Sequence, residues 1–194
     1  MEESRIRRIV VSGGPGAGKT TLWRTLSELH SERIVAVPEV ATLLFSHVFP
    51  QVQNELERRA VQSAIFAVQR NLELMYEARL GPGQVLLCDR GVPDGGGYWP
   101  AGPEDFFRSM STDWQVELSR YDAVLFMESA AVGGLCIAAG NPTRMEDLAT
   151  ASALDSCLRS VWQPHPRFLH IAHELDFAAK LERGCAAAEA LLLG

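Results

Sequence analysis

Lysine is scarce in this sequence, and a continuous run of basic residues is lacking. Only Lys19 and Lys180 are lysines, so arginine supplies the other 16 of the 18 basic side chains. The formal net charge is −6. Proteins that hold long nucleic acid by its phosphates usually carry a basic stripe. The sequence therefore predicts that long DNA or RNA is not a partner.

Closely spaced cysteines and long apolar runs are lacking as well. The four cysteines lie at least 21 positions apart, whereas zinc and redox motifs need close pairs. The most apolar stretch, residues 123–140, contains Glu128 and two adjacent glycines and falls short of a spanning helix. The N-terminal residues do not show the pattern of a signal peptide. We therefore expect reduced thiols, no membrane span and a cytoplasmic location.

The sequence does contain a regular alternation of two patterns. Short apolar runs that end at turn residues alternate with segments of helical periodicity. The predicted strands are 5–12, 33–37, 85–88, 123–127 and 168–171. The predicted helices are 18–31, 53–80, 144–162 and 175–193, with helical segments within 103–119, a helical or irregular 40–48 and a loop at 89–103. This alternation predicts an α/β fold, a parallel sheet with helices on both faces.

A glycine-rich motif follows the first predicted strand and matches the P-loop pattern at every fixed position. Its residues are Gly13, Gly14, Pro15, Gly16, Ala17, Gly18, Lys19 and Thr20. The motif begins where a strand ends and finishes where an amphipathic helix starts, which is the placement that phosphate binding requires. The alternative interpretation is an ordinary glycine-rich turn with a surface lysine. Such a turn would not need to lie between a strand and a helix.

The chemistry of this motif is phosphate binding. Glycines let the backbone wrap around phosphate oxygens, so that N–H groups and the positive end of the helix face the anion. Lys19 would reach between the β- and γ-phosphates, and the Thr20 hydroxyl would ligate Mg²⁺. Thr21 would cap the helix or touch the α-phosphate. We therefore predict a nucleotide and Mg²⁺ as ligands.

Further short motifs lie at the ends of the other predicted strands. They are Pro38-Glu39, Asp89-Arg90-Gly91 with Asp94 and Tyr98, Tyr121 to Val124, Asn141 to Glu146, and His165 to Phe168. Together with the P-loop, this set resembles the AAA-domain P-loop family that includes the ribosylnicotinamide kinase domain of NadR, and more loosely the deoxynucleoside and thymidylate kinases. The resemblance extends over about residues 5–180.

The resemblance implies a P-loop NTPase fold with five parallel strands in the order 2-3-1-4-5, and ATP with Mg²⁺ as the phosphoryl donor. It also implies an acceptor over the carboxyl ends of strands two and three. Ligands of parallel sheets generally bind at that edge, which independently indicates the same place. We expect residues 1–194 to form a single kinase-like domain with a small lid segment near 129–150.

Three charged residues at strand ends are the main candidates for chemistry. Asp89 ends a strand, as a Walker B acid does, and can hold Mg²⁺ or else cap a turn. Arg90 can clamp a phosphoryl oxygen or form a surface ion pair. Glu39 can take a proton from an acceptor hydroxyl or bind a sugar, and its structural alternative is to cap the next helix.

Two further charged residues are weighed against simpler roles. Arg144 resembles a lid arginine, which would close over the transferring phosphoryl group and neutralise developing charge. It stands alone between Arg120 and Arg159, so a strongly basic lid is not expected. Asp94 is a second acidic candidate, but the glycine that follows it makes a turn the alternative.

A line of polar residues runs along the long predicted helix. Gln62 and Gln69 are one heptad apart on it, and Glu73 follows one turn later. Related nucleoside kinases use polar groups on the equivalent helix to recognise a base. A solvated helix face is the commoner use of such a line, and it is our expectation here.

The leading hypothesis is phosphoryl transfer from ATP to a small acceptor that carries a hydroxyl or phosphate, such as a nucleoside, nucleotide or related metabolite. The alternative is an acceptor-independent ATPase or GTPase switch that binds a protein or lipid partner. A Ras-like GTPase is not expected, because Lys180 is the only other lysine and lies outside any Asn- or Thr-Lys-x-Asp motif. The length leaves little room for the helical lid domain of a ring-forming motor, whereas a homo-oligomer is compatible with the sequence.

Overall fold

The computed structural model describes residues 7–134 and 147–193. At its centre lies a parallel five-stranded sheet with the order β2-β3-β1-β4-β5. The strands are β1 (Arg8–Ser12), β2 (Ile34–Val37), β3 (Val85–Asp89), β4 (Ala123–Met127) and β5 (Phe168–Ile171). The predicted P-loop NTPase fold and its strand order are therefore confirmed.

Helices connect the strands and cover the sheet. They are α1 (Lys19–Leu29), α2 (Val40–His47), α3 (Glu55–Glu77), α4 (Asp94–Tyr98), α5 (Gly102–Ser109), α6 (Trp114–Leu118), α7 (Leu148–Trp162) and α8 (Phe177–Leu193), with a short 3₁₀ turn at Ala130–Gly133. The Asn54 side chain accepts a hydrogen bond from the Glu57 N–H and so caps the start of α3. Within the described ranges, no helix combines the length and the apolar character needed to cross a membrane.

The hydrophobic core forms two layers, one on each face of the sheet. On one face, Val11 belongs to a buried cluster with Leu22 of α1 and Leu192 of α8. On the other face, its neighbour Val10 belongs to a second cluster with Leu158 of α7. Successive residues of β1 thus point to opposite faces and both are buried, as the continuous apolar run of this strand predicts.

Residues 94–98 form the helix α4, so the predicted loop over 89–103 is wrong for this segment. Three successive glycines disfavour a helix on local grounds. A Cβ on Gly95 would lie 2.5 Å from the Phe106 ring, and one on Gly97 would lie 2.7 Å from Leu158. The missing side chains allow α4 to pack closely between α5 and α7, and this packing outweighs the local preference.

The polar line on α3 faces the interior, and the expected solvated face is wrong. Gln62, Gln69 and Glu73 are all buried, and Glu73 has no exposed surface. The reason is tertiary, because α3 lies across one face of the sheet and meets polar partners there that are distant in sequence.

Glu73 is the centre of a buried network of hydrogen bonds. Its Oε2 accepts from Arg8 Nη1 at 3.1 Å and from Arg120 Nη2 at 3.0 Å. Its Oε1 accepts from the Tyr121 hydroxyl at 2.7 Å and from Gln69 Nε2 at 2.8 Å. Both carboxylate oxygens are therefore satisfied, as a buried charge requires.

We expect Glu73→Gln to lower the free energy of unfolding by about 3–5 kcal/mol, because it removes the charge opposite two largely buried arginines. The matched control is Glu77→Gln, one turn further along α3, which breaks only a partly exposed contact with Arg8 and should cost about 1 kcal/mol or less. Urea unfolding of both variants measures the difference. Equal losses in the two variants would contradict the central role of Glu73.

Candidate functional site

The glycine-rich motif forms a loop that joins the carboxyl end of β1 to the first turn of α1. Gly18, the residue before α1, has a φ of +88°, a conformation that residues with side chains rarely adopt. A Cβ on Gly13 would lie 1.9 Å from the carbonyl oxygen of Met127. Glycine is thus required at these two positions, for backbone conformation at one and for close packing at the other.

The back of this loop is bonded to residues from other elements. Asp155 of α7 accepts hydrogen bonds through Oδ1 from the Gly14 N–H at 2.8 Å and from the Ser129 N–H at 2.9 Å. The Ser129 hydroxyl in turn donates to the carbonyl of Pro15. Burial raises the pKa of Asp155, although the two amide hydrogen bonds oppose the rise. The loop conformation therefore depends on residues more than 100 positions away.

Lys19 and the two threonines that follow it occupy the first turn of α1. The Lys19 side chain is 4% exposed, and its Nζ donates to the carbonyl of Gly14 at 2.7 Å. Thr20 and Thr21 are exposed on the same turn. An ammonium group, loop amides and two threonine hydroxyls are thus gathered at one helix N-terminus, which is an arrangement suited to an anion.

Asp89, at the end of β3, lies next to this turn. Its Oδ2 accepts a hydrogen bond from Thr20 Oγ1 at 2.9 Å, while its buried Oδ1 has no hydrogen-bond partner among the described residues. Burial raises the pKa of Asp89, and the Glu39 carboxylate adds to that rise. A hydroxyl beside an unpaired carboxylate oxygen is a donor set that Mg²⁺ prefers. The residues therefore fit the predicted metal ion.

Arg90 is held in a fixed position between two carboxylates. Its Nε donates to Glu39 Oε1 and its Nη1 donates to Asp94 Oδ1 at 3.0 Å. Asp94 also accepts from the Ser12 hydroxyl at 2.7 Å and from Trp162 Nε1 at 3.1 Å, so both of its oxygens are occupied. Arg90 has a φ of +69°, which is an uncommon conformation for a residue with a side chain and one that recurs at functional sites.

These contacts decide between the alternatives left open by the sequence. Arg90 is buried and paired, so a surface ion pair is excluded. Asp94 is buried and orients Arg90, and it lies in a helix rather than a turn. Glu39 occupies the position before α2, yet its carboxylate bonds the Thr42 and Arg90 side chains and makes no cap to the helix backbone.

The Glu39 carboxylate is strongly ionised. Burial acts to raise its pKa, but the charges of Arg90 and Lys19 outweigh burial and lower the pKa to about 2. The hydrogen bonds from Arg90 to Glu39 and from Thr20 to Asp89 join the end of β2, the end of β3 and the first turn of α1. Glu39, Asp89, Arg90 and Lys19 are thus brought together at the carboxyl edge of the sheet.

Arg144 and most of the predicted lid segment lie outside the described residues. Asp155 was missed, although it sits on α7 at helical spacing from the buried Ala151, Leu158 and Trp162, and a lone acid on an apolar face was an available signal.

A parallel sheet in this order, with a glycine-rich loop between β1 and α1, defines the class of P-loop proteins with a kinase-like fold. Comparison with protein families agrees, since the family described as AAA domain matches residues 8–180. The chain belongs to that family. No curated protein matches the sequence.

Solved structures show the same fold. One of them, the deoxyadenosine kinase from M. mycoides with bound dATP, superimposes with a TM-score of 0.64. The match covers 94% of this chain and 99% of that chain, at 14% sequence identity. At this level of identity the likeness establishes the kinase-like architecture.

We expect Glu39→Gln to be less stable than the parent protein at pH 7 by a few kcal/mol, because the ion pair with Arg90 is lost. The pKa of Glu39 lies below its usual 4.5. Its contribution to the free energy of unfolding is therefore full above pH 4.5 and disappears as the pH falls through about 2. Urea unfolding between pH 7 and pH 2 should therefore show the two proteins converging. Glu28→Gln, an exposed change on α1, is the control and should differ little from the parent at any pH.

Proposed function

We propose that this protein is a P-loop kinase that transfers the γ-phosphoryl group of ATP to a small acceptor, such as a nucleoside, nucleotide or related metabolite. The observation that supports this best is the meeting of two charged sets at one sheet edge. Lys19 and the Thr20–Asp89 pair lie at the ends of β1 and β3, and the Glu39–Arg90 pair lies beside them at the ends of β2 and β3. The first set suits a nucleotide, and the second suits a polar acceptor.

The donor nucleotide would bind with its phosphates on residues 13–21. The loop amides and the N-terminus of α1 face the anion, and the Lys19 ammonium moves from the Gly14 carbonyl to the β- and γ-phosphate oxygens. The Thr21 hydroxyl is exposed on the first turn and is available to the α-phosphate. Lys19 is thus held at the loop before the nucleotide arrives.

Thr20 and Asp89 would hold Mg²⁺. When bound, this ion neutralises charge on the phosphate oxygens and fixes their geometry. Asp89 would contribute Oδ1, which has no hydrogen-bond partner among the described residues, and Thr20 would contribute the hydroxyl that now donates to Asp89 Oδ2. The raised pKa of Asp89 is expected for a carboxylate built to face a cation.

Glu39 and Arg90 would position the acceptor. The acceptor oxygen forms a bond to the γ-phosphorus, the bond from that phosphorus to the β–γ bridging oxygen breaks, ADP leaves, and the hydroxyl proton passes to Glu39. Phosphoryl transfer has a loose transition state, so orientation matters more than basicity, and a carboxylate of low pKa can serve. Arg90 stabilises the charge on the transferring group, and Arg144 is proposed to do so from the lid.

The acceptor can be found by measuring ADP release with ATP, Mg²⁺ and a panel of nucleosides and nucleotides. We expect at least one acceptor to increase ADP release and to appear as a phosphorylated product. ADP release that no acceptor changes, with ATP bound, would contradict the kinase and favour the acceptor-independent NTPase switch. A cytoplasmic location and a homo-oligomer remain predictions from the sequence.

We expect Asp89→Asn to lower kcat by roughly a hundredfold while changing the affinity for ATP much less, because the carboxylate acts through Mg²⁺. Steady-state kinetics over a range of Mg²⁺ concentrations and calorimetric titration with ATP measure the two effects. Asp113→Asn, a helix cap at the distant α6, is the matched control and should leave kcat unchanged. Equal losses of binding and turnover in Asp89→Asn would indicate a structural role instead.

A further inference from the structure

The second of the two lysines also contacts the glycine-rich loop. Lys180 lies on α8, is only 2% exposed, and donates through Nζ to the carbonyl of Ala17 at 2.8 Å. The same Nζ donates to the carbonyl of Glu128, just after β4. A buried ammonium therefore joins the back of the loop to the end of a central strand.

We propose that Lys180 is a positioning residue for nucleotide binding, which orients the Ala17–Gly18 peptide so that the Gly18 N–H faces the phosphates. In a trans peptide the C=O and the following N–H point in opposite directions. Because Lys180 holds the Ala17 carbonyl on the outer side of the loop, the Gly18 N–H is turned to the inner side. This proposal rests on the proposed function only in that the loop binds nucleotide phosphates.

A second peptide of the loop, Pro15–Gly16, is held in the same way. The Ser129 hydroxyl donates to the carbonyl of Pro15, so the Gly16 N–H is turned inward by the same geometry. Asp155 fixes the Gly14 N–H on the outer side. Lys180 is therefore one of three side chains, from the end of β4, from α7 and from α8, that set the loop amides before a ligand binds. Preorganised donors of this kind raise affinity because they need no rearrangement.

The environment of Lys180 links it to the ligand. Burial is the main cause that lowers the pKa of Lys180 to about 8, while the carboxylates of Asp155, Glu128 and Glu174 oppose the change and Arg183 adds to it. A phosphate anion on the other side of the loop stabilises the ammonium form. Binding of nucleotide therefore raises the pKa of Lys180, and near pH 8 the complex takes up part of a proton.

The test is calorimetric titration with ATP and Mg²⁺ at pH 8 in buffers of different ionisation enthalpy. We expect Lys180→Met to weaken ATP binding by roughly tenfold or more, because both charge-assisted hydrogen bonds are lost. The variant should also abolish proton uptake, because the amine that takes up the proton is removed. In kinetics, KM for ATP should rise more than kcat falls. Arg24→Met removes an exposed cation from α1 that does not act on Lys180, and it should keep both the affinity and the proton uptake.

Each outcome has a defined meaning. Unchanged affinity, or proton uptake that persists in Lys180→Met, would overturn the role of Lys180 while leaving the kinase proposal standing. Weaker ATP binding by Lys180→Met, together with no acceptor that the parent protein phosphorylates, would support the role of Lys180 and contradict the kinase proposal. Should Lys180→Met fail to fold by circular dichroism, the parent protein alone decides, since absence of proton uptake at pH 8 overturns the proposal.

Discussion

The parallel pairing of β1 with β3 is the contact on which the candidate site depends. In this register Val11 lies beside Asp89, so β3 ends level with the loop that follows β1. Side chains alternate between the two faces of a strand, and Asp89 therefore points to the α1 face, where Thr20 meets it. A shift of one residue would turn Asp89 to the opposite face and leave Arg90 against α1.

Buried charge is concentrated in two connected networks. In the first network, Glu73 forms ion pairs with Arg8 of β1 and with Arg120, which precedes β4. In the second network, Arg90 forms ion pairs with Glu39 and Asp94 at the sheet edge. Gln69 bridges them, since its Nε2 donates to Glu73 and, at 3.4 Å, to the Arg90 carbonyl. The helix α3 thus supports the backbone at Arg90 while its own polar side chains are satisfied.

Prediction from sequence succeeded where short-range patterns decide the structure. The apolar runs of β4 and β5 predicted both strands at the observed residues, and the P-loop stands in its expected context. The strand order followed from the family resemblance alone. Sequence failed for α4 and for Gln69 and Glu73, because helix formation by three glycines and burial of a polar face depend on partners distant in the chain.

The sequence by itself determined the motif, since a glycine-rich loop between a strand and a helix follows from local backbone preferences. It also placed Lys19 in that motif, but it indicated no role for Lys180. Lys180 lies 163 positions from Ala17 in the sequence. Only the tertiary structure places its Nζ 2.8 Å from the Ala17 carbonyl oxygen. A buried cation needs hydrogen-bond acceptors or a counter-charge, and the packing of α8 against the loop and β4 brings two carbonyl acceptors to Lys180.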